Sequence, residues 1–501
     1  MISIFYFKQN SIIQNTKEKK MILFLAGIAI LIAGYFTYGK FVEKVLSPDN
    51  RETPCVKSPD GVDFIALPHW KNMLIQLLNI AGIGPVIGVI LGIKFGSIVF
   101  IILPIGNLIA GATHDMIAGM MSLRNDGANL TTLVKQNLGN VYYRLFSWFM
   151  VILLLLVVAV FVNIPASLIS GMFEGDWFWV AVIAITVYYI AAAMFPVDKI
   201  IGNIYPIFGG LLLLSTLAIF IALLCKGFQD TSLLEEGLLF KAGKFTAEKN
   251  QPILPMLFVT IACGIISGFH ATQSPIVART MSTEKQARST FYGMMVVEGI
   301  IGMIWAGAGL AIYNLFPYYM AQAPAKVLGH ITTYFLGTFA GNITIAGVVV
   351  LAITSGDTAL RSTRMALAEM LGIDQKPLRN RVILCCAMLV LVAGLLWWSN
   401  KSAKTFNLLW NYFSWGNQVL AVTTLLAGTV YLAKKGFWRL ITLIPGAFML
   451  FIVLTYILWI SPGHGGPVGL GMELNIAYVI AIVLTVIAAA AVWLRGNKLA
   501  K

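Results

Sequence analysis

A chain of 501 residues in which 58% are apolar and only 11% charged is not a water-soluble protein, in which charged residues make up about a quarter of the total. The formal net charge of +14 would suggest nucleic acid in a soluble domain, but in a membrane protein it must first be set against loop asymmetry. Five cysteines, Cys55, Cys225, Cys263, Cys385 and Cys386, have no metal-ligand spacing and, Cys55 apart, lie in or beside apolar runs, so no disulfide framework, metal site or cofactor is expected.

In chain order, apolar runs of about 20 residues, the length that crosses a bilayer, fall at roughly 21–39, 73–92, 96–121, 145–166, 177–195, 200–225, 253–275, 290–313, 336–357, 382–399, 405–432, 440–460 and 474–494. The expectation is an all-α polytopic membrane protein with about 13 transmembrane helices. The first 20 residues, with Lys8, Lys17, Lys19 and Lys20 around a weak apolar run, match neither a span nor a cleavable signal, and Met21 is a second candidate start. An odd number of spans puts the termini on opposite sides. The loops at 40–72, 122–144, 196–199, 276–289, 358–381 and 433–439 and the C-terminus hold 23 of the 35 lysines and arginines, so the C-terminus is expected in the cytoplasm and the N-terminus outside. The basic charge is then mostly cytoplasmic loop charge, and nucleic acid drops out as a partner.

Two runs are interrupted. Run 2 contains IAGIGPVIG (Ile80 to Gly88) and run 7 ends in SGFHATQSP (Ser267 to Pro275). Pro85 removes a backbone donor and Gly82, Gly84 and Gly88 weaken the helix, which frees carbonyls and amides at membrane depth, where only protein or a water-filled cavity satisfies them. Taken singly, each is equally a kink or a close helix contact. Their spacing adds more: five spans apart, the two breaks run in opposite directions, as in an inverted repeat, where such helices mark the substrate and ion sites of transporters. The chain accordingly divides into an N-terminal tail and peripheral helix (1–39), a cytoplasmic loop (40–72), a first five-helix repeat (73–225), an external loop (226–252), a second repeat (253–432) and two peripheral helices with a tail (433–501). This 5+5 arrangement resembles the LeuT-like fold. Run 9 ends in ITSGDTALRSTR (Ile353 to Arg364), and Thr354, Ser355 and Thr358 resemble the hydroxyls that hold an ion in Na⁺-coupled members of that superfamily; a helix cap or a helix–helix bond is the competing explanation.

Ionisable groups at membrane depth are functional candidates. Glu298, deep in run 8, could take up a proton during transport, or could bond a neighbouring helix. His270, in the break of run 7, could hold a carboxylate or relay a proton. His114 and Asp115, near the cytoplasmic end of run 3, are as readily a loop anchor as a proton path. Asp357, Arg361 and Arg364 share one helical face and read as a capped helix end, with a cytoplasmic ion-pair gate as the alternative. NYFSWGNQ (Asn411 to Gln418) carries more polar groups than joining helices requires. Candidate substrate contacts are therefore Gly82, Gly84, Pro85, Gly268, His270, Thr272, Gln273, Ser274 and Asn417; candidate coupling groups are Glu298, His270, Thr354, Ser355, Thr358, His114 and Asp115. Trp177, Trp179, Trp397, Trp398 and Trp459 lie at span ends, as in an aromatic belt.

The segments NIAGIGPVIG, GATHDM with SLRNDGANLTTLVKQNLG, SGFHATQSPIVARTMSTEKQARSTFYGMMVVEGIIGMIWA, and ITSGDTALRSTRMALAE resemble the carbon starvation protein A (CstA) family from about Lys40 to the end of run 11. The chain resembles its shorter members, which lack an extra N-terminal span and a longer C-terminal region. The resemblance implies a plasma-membrane secondary transporter for nutrients used when carbon is scarce, with peptides or pyruvate as the small-molecule substrate and H⁺ or Na⁺ as the coupling ion, within the LeuT-like superfamily. Three positions depart from or vary within the family pattern: Ile83 replaces a small residue, Val89 stands where a second proline is common, and His114 falls where many members have Gln or His. An enzyme is not expected, since HExxH, GxSxG and paired carboxylates are all missing; a channel or a transport-like sensor is the remaining alternative.

Overall fold

The computed structural model describes residues 22–61, 63–194, 197–230, 233, 251–375, 377–464 and 466–500, the side chains of 193–208 and 403–404 excepted. The first 20 residues and most of the 226–252 loop, on which two expectations fell, lie outside this set.

Among the described residues every element is helical, and the helices follow the apolar runs and are numbered after them. Ten are long and apolar enough to cross a membrane: α1 (Ile22–Leu46), α3 (Val99–Leu123), α4 (Asn140–Met172), the Gly209–Gln229 part of α6 (Val197–Gln229), α8 (Glu284–Leu315), α9 (Pro324–Leu371), α10 (Leu378–Ser399), α11 (Thr405–Lys434), α12 (Leu440–Trp459) and α13 (Leu474–Ala500). An eleventh is a bent pair, α2a (His69–Ile80) and α2b (Gly84–Phe95), meeting at 53°. The other two apolar runs fall on α5 (Phe178–Met194), which is short, and on a segment broken into α7a (Ile253–Thr260), a turn at Ala262–Ile265 and α7b (Gly268–Ala278).

In a bilayer both faces of a helix can be apolar, so burial is not legible from hydrophobic periodicity. It follows the polar residues instead, because a hydroxyl or amide at that depth needs a protein partner. In their most apolar stretches α8 and α11, rich in such groups or in glycine, are 89% and 94% buried, whereas α1 and α13 are 28% and 22% buried. The first two stand at the centre and the last two at the rim, α13 against α11 and α12. Trp177, Trp179, Trp397 and Trp398 are exposed at span ends, but Trp459 is buried and stacks on His464 at 4.6 Å, so the aromatic-belt reading fails there.

Two local departures from α geometry matter for the site. Stretches of π-helix occur at Gly84–Gly88, Asn107–Ala112 and Arg288–Gly293, and each shifts the residues that follow it around the helix, as such bulges do at functional sites. In α9, Gly337 takes φ 75° and ψ 173°, a conformation open to glycine. It separates Pro324–Leu336, which precedes the apolar run at 336–357, from the span proper.

Candidate functional site

The two breaks meet. α2a ends at Ile80; the Gly82 amide turns back to the Ile80 carbonyl at 2.7 Å, and the Val86 and Ile87 amides both return to the Ile83 carbonyl. Pro85 sits in the first turn of α2b, where a missing N–H costs least. A Cβ on Gly84 would lie 2.4 Å from Cys263 Cβ, and one on Gly88 2.9 Å from the Thr260 carbonyl oxygen. Glycine is what lets α2b pass against the broken α7.

In α7 the chain is extended at Ile266 and Ser267 before α7b begins. Ser267 does not cap α7b with its own side chain. Asn417 of α11 does so: its Oδ1 accepts from the Phe269 amide at 2.7 Å and from Ser267 Oγ at 3.3 Å, and its Nδ2 donates to Ser267 Oγ at 2.9 Å. Gly268 permits this, since a Cβ there would lie 2.3 Å from the Asn417 carbonyl oxygen and 2.4 Å from the Ala421 amide nitrogen. Both obstacles are backbone and cannot swing aside. Gly268→Ala is expected to cost about 1–3 kcal/mol, read as a lowered thermal midpoint in detergent. Gly171→Ala, with no atom within 4 Å of its new methyl, is the control expected to stay at the wild-type value.

Beside the breaks lies a chain of four titratable side chains, each 1% exposed or less. His114 Nδ1 is 2.8 Å from Asp115 Oδ1; His270 Nδ1 is 3.1 Å and 3.0 Å from the two oxygens of the same carboxylate; His270 Nε2 is 3.7 Å from Glu298 Oε2. Neither Glu298 oxygen, nor His114 Nε2, makes a hydrogen bond among the described residues. The chain runs from α3 through α7b to α8. His114 and Asp115 follow the π stretch, in the segment Thr113–Leu123 that is buried along its whole length, so the loop-anchor alternative is corrected: they belong to the core. Asn107, in that stretch, fastens α3 to both neighbours by donating to the Gly264 and Met295 carbonyls.

The hydroxyls of α9 meet the end of α2a. Ser355 Oγ donates to the Leu78 and Asn79 carbonyls at 3.2 and 3.4 Å, Thr358 Oγ1 to Asn79 Oδ1 at 2.8 Å, and Thr354 Oγ1 to the Leu351 carbonyl at 2.8 Å. A Cβ on Gly82 would lie 3.0 Å from Ser355 Oγ. Of the remaining candidates, Thr272 and Ser274 bond within α7b, while Gln273 donates to Gln76 and accepts from Asn79, joining α7b to α2a. Trp415 and Gln418 bond the Val453 and Phe258 carbonyls and so join helices. Asp357 accepts from Tyr188 Oη at 3.0 Å, and Arg361 reaches the Ala192 carbonyl and Asp63.

Gln76, Asn79, Cys263 and Phe161 also stand at the site and were not among the candidates. The first two could have been found, being amides in the last turns before a break; Phe161, 6.2 Å ring to ring from Phe269 and from Phe413, carries no local signal.

The family model described as carbon starvation protein CstA matches residues 19–225, 179–334 and 316–456. An uncharacterized membrane protein of Haemophilus influenzae is 38% identical over 59% of this chain and 92% of its own length. The peptide transporter CstA of Bacillus subtilis is 23% identical over 95% of this chain and 97% of its own. The pyruvate/proton symporter BtsT of Escherichia coli is 23% identical over 61% of this chain and 51% of its own. Among solved structures, a Na⁺-coupled sialic acid symporter superposes with a TM-score of 0.51 at 14% identity, covering 92% of this chain and 96% of that one. MhsT in complex with L-phenylalanine gives 0.56 at 13%, covering 86% and 99%. These likenesses show the fold, the LeuT-like arrangement of membrane transporters.

Proposed function

Because the chain belongs to the carbon starvation protein CstA family, we propose that this membrane transporter imports short peptides across the plasma membrane as a secondary active, proton-coupled carrier. The observation that supports proton coupling is the buried chain His114–Asp115–His270–Glu298. With Asp115 accepting from His270 Nδ1–H, the other ring nitrogen faces Glu298 and can exchange a proton with it. An ionised Glu298 at that depth is tolerated only opposite a cation or a donor, so loading and unloading its proton belongs to different conformations. Because α3, α7b and α8 each contribute a member, rocking α7b against the other two would make and break the relay.

The substrate carboxylate is read onto the freed backbone around Gly82, Gly84, Pro85 and Gly268, where half-helix dipoles favour an anion, with His270, Thr272, Gln273, Ser274 and Asn417 around it. Substrate and proton are coupled only to the extent that each favours one conformation over the other. Residues 73–225 and 253–432 are taken as the two inverted repeats, and the C-terminus as cytoplasmic.

A second reading has its own observation. Ser355 and Thr358 bond the last carbonyls and amide of α2a, a set of oxygens suited to Na⁺, and a family relative is a pyruvate/proton symporter, so a small carboxylate and Na⁺ are the rival pair. Uptake of labelled dipeptide and of labelled pyruvate into proteoliposomes, under an imposed proton gradient and then an imposed Na⁺ gradient, decides among the four combinations. Dipeptide accumulation on the proton gradient is expected; its failure while pyruvate or Na⁺ succeeds overturns this reading. Ser355→Ala is expected to leave proton-driven uptake within about fivefold, since the hydroxyl it removes from the Leu78 and Asn79 carbonyls is worth roughly 1 kcal/mol. Collapse of uptake in that variant favours the Na⁺ site.

A further inference from the structure

A cavity of about 440 Å³ lies between the end of α4, the length of α5 and the middle of α9, with Thr354, the neighbour of Ser355, in its wall. Its walls are apolar except at the floor, where Tyr188 and Thr354 close it. It opens sideways: Phe173 and Trp177, in the turn between α4 and α5, and Val180, in the first turn of α5, line it and are 61%, 47% and 55% exposed, apolar surface of the kind that a membrane covers. A peptide or small carboxylate has no partner on such walls, so the cavity is not read as part of the transport path.

Two features say what fills it. The first is length. At about 1.5 Å per residue, α5 descends roughly 17 Å from Trp177 to Tyr188, close to the depth of one leaflet, about half of a 30 Å hydrocarbon core. Trp177 marks the interface end, its indole N–H fixed by the Glu174 carbonyl at 2.9 Å. The second is charge. The turn at the mouth carries Glu174 and Asp176, both exposed, and no lysine or arginine lies between Arg144 and Lys199. Neither carboxylate forms an ion pair among the described residues. An anionic headgroup is repelled there and an ammonium is attracted.

We propose that this slot holds one acyl chain of a phospholipid whose ammonium headgroup, as in phosphatidylethanolamine, sits beside Glu174 and Asp176. The chain end then abuts Tyr188, whose hydroxyl holds Asp357 of α9 at 3.0 Å, two residues from the Ser355 contact with α2a. The lipid packs α9 against α4 and α5 from behind. This inference stands apart from the choice of substrate or coupling ion, and its test reads no transport.

The full-length protein, purified in detergent and stripped of lipid, is given equal amounts of phosphatidylethanolamine and phosphatidylglycerol with the same acyl chains, and bound lipid is counted by native mass spectrometry. The wild type is expected to keep phosphatidylethanolamine preferentially. Ala184→Phe fills the slot and is expected to lower retention about tenfold, the equivalent of losing roughly 1.4 kcal/mol; Val180→Trp is a second filler, should the first fold poorly, and both are checked for monodispersity and helix content. Glu174→Gln with Asp176→Asn is expected to keep lipid and lose the headgroup preference. Wild-type retention by a well-folded filler overturns the slot. Preference for phosphatidylglycerol, or a preference that survives the carboxylate changes, overturns the headgroup assignment.

Discussion

Glu298→Gln is expected to abolish accumulation driven by a proton gradient while leaving the carrier able to exchange substrate at equilibrium. The substitution is nearly isosteric and neutral, so it mimics the carboxyl in its protonated form and fixes the relay at one end. The neighbouring group is His270 Nε2, 3.7 Å away, a separation that a glutamine amide also spans, so packing of α8 against α7b is retained. The accumulation ratio under an imposed gradient should fall to about one, because a carrier that cannot release its proton only equilibrates substrate. Counterflow of labelled against unlabelled substrate, which needs no net proton movement, is the companion measurement and should stay within about tenfold of wild type. Asp115→Asn separates the relay from a lone carboxyl. It replaces the carboxylate that accepts from His270 Nδ1–H by a neutral amide without touching Glu298, and is expected to impair coupling as well. Wild-type proton-driven accumulation in Glu298→Gln would take the coupling role away from that residue. Full coupling in Asp115→Asn would leave Glu298 acting without His114 and Asp115.

What was legible in the sequence was the backbone. Gly and Pro act locally, so IAGIGPVIG and SGFHATQSP announce broken helices wherever they stand, and both segments are broken in the structure. Glu298 and His270 were visible for a related reason: a titratable group inside an apolar run is conspicuous whatever surrounds it. Partners were not legible. That Asn417 caps α7b, or that Asp115 lies between two imidazoles, depends on three helices crossing at one depth, and helices apolar on every face carry no periodic mark of which side turns inward. The π stretch Asn107–Ala112 compounds this, because it rotates His114 and Asp115 away from where an α-helical count would place them. Trp459 was misread for the same reason in reverse, its position at a span end saying nothing about the His464 that covers it.

The largest effect on stability is expected outside the relay, at Glu284, on the face that loop charge assigns to the cytoplasm. This carboxylate is 0% exposed and takes three bonds from Arg124 at 3.0, 3.2 and 2.9 Å, a fourth from the Asp49 amide at 3.2 Å, and an ion-pair contact from Arg51 at 3.3 Å. Arg51 in turn bonds Asp49 and holds its carboxyl well below the usual carboxylate range, so the Arg51–Asp49 pair persists across neutral and mildly acidic pH. One residue thereby fastens the loop after α1 to the end of α3 and the start of α8. Glu284→Gln leaves the Arg124 guanidinium, itself 4% exposed, buried with an amide in place of a carboxylate. Losing one partner of a buried pair costs about 3–5 kcal/mol, whereas replacing both by apolar groups costs far less. The thermal midpoint in detergent should fall steeply in Glu284→Gln and in Arg124→Met, and recover part of the loss when Arg124→Met is combined with Glu284→Met. A midpoint unchanged by Glu284→Gln, or losses that simply add in the double variant, would show that the three elements are held together by packing alone.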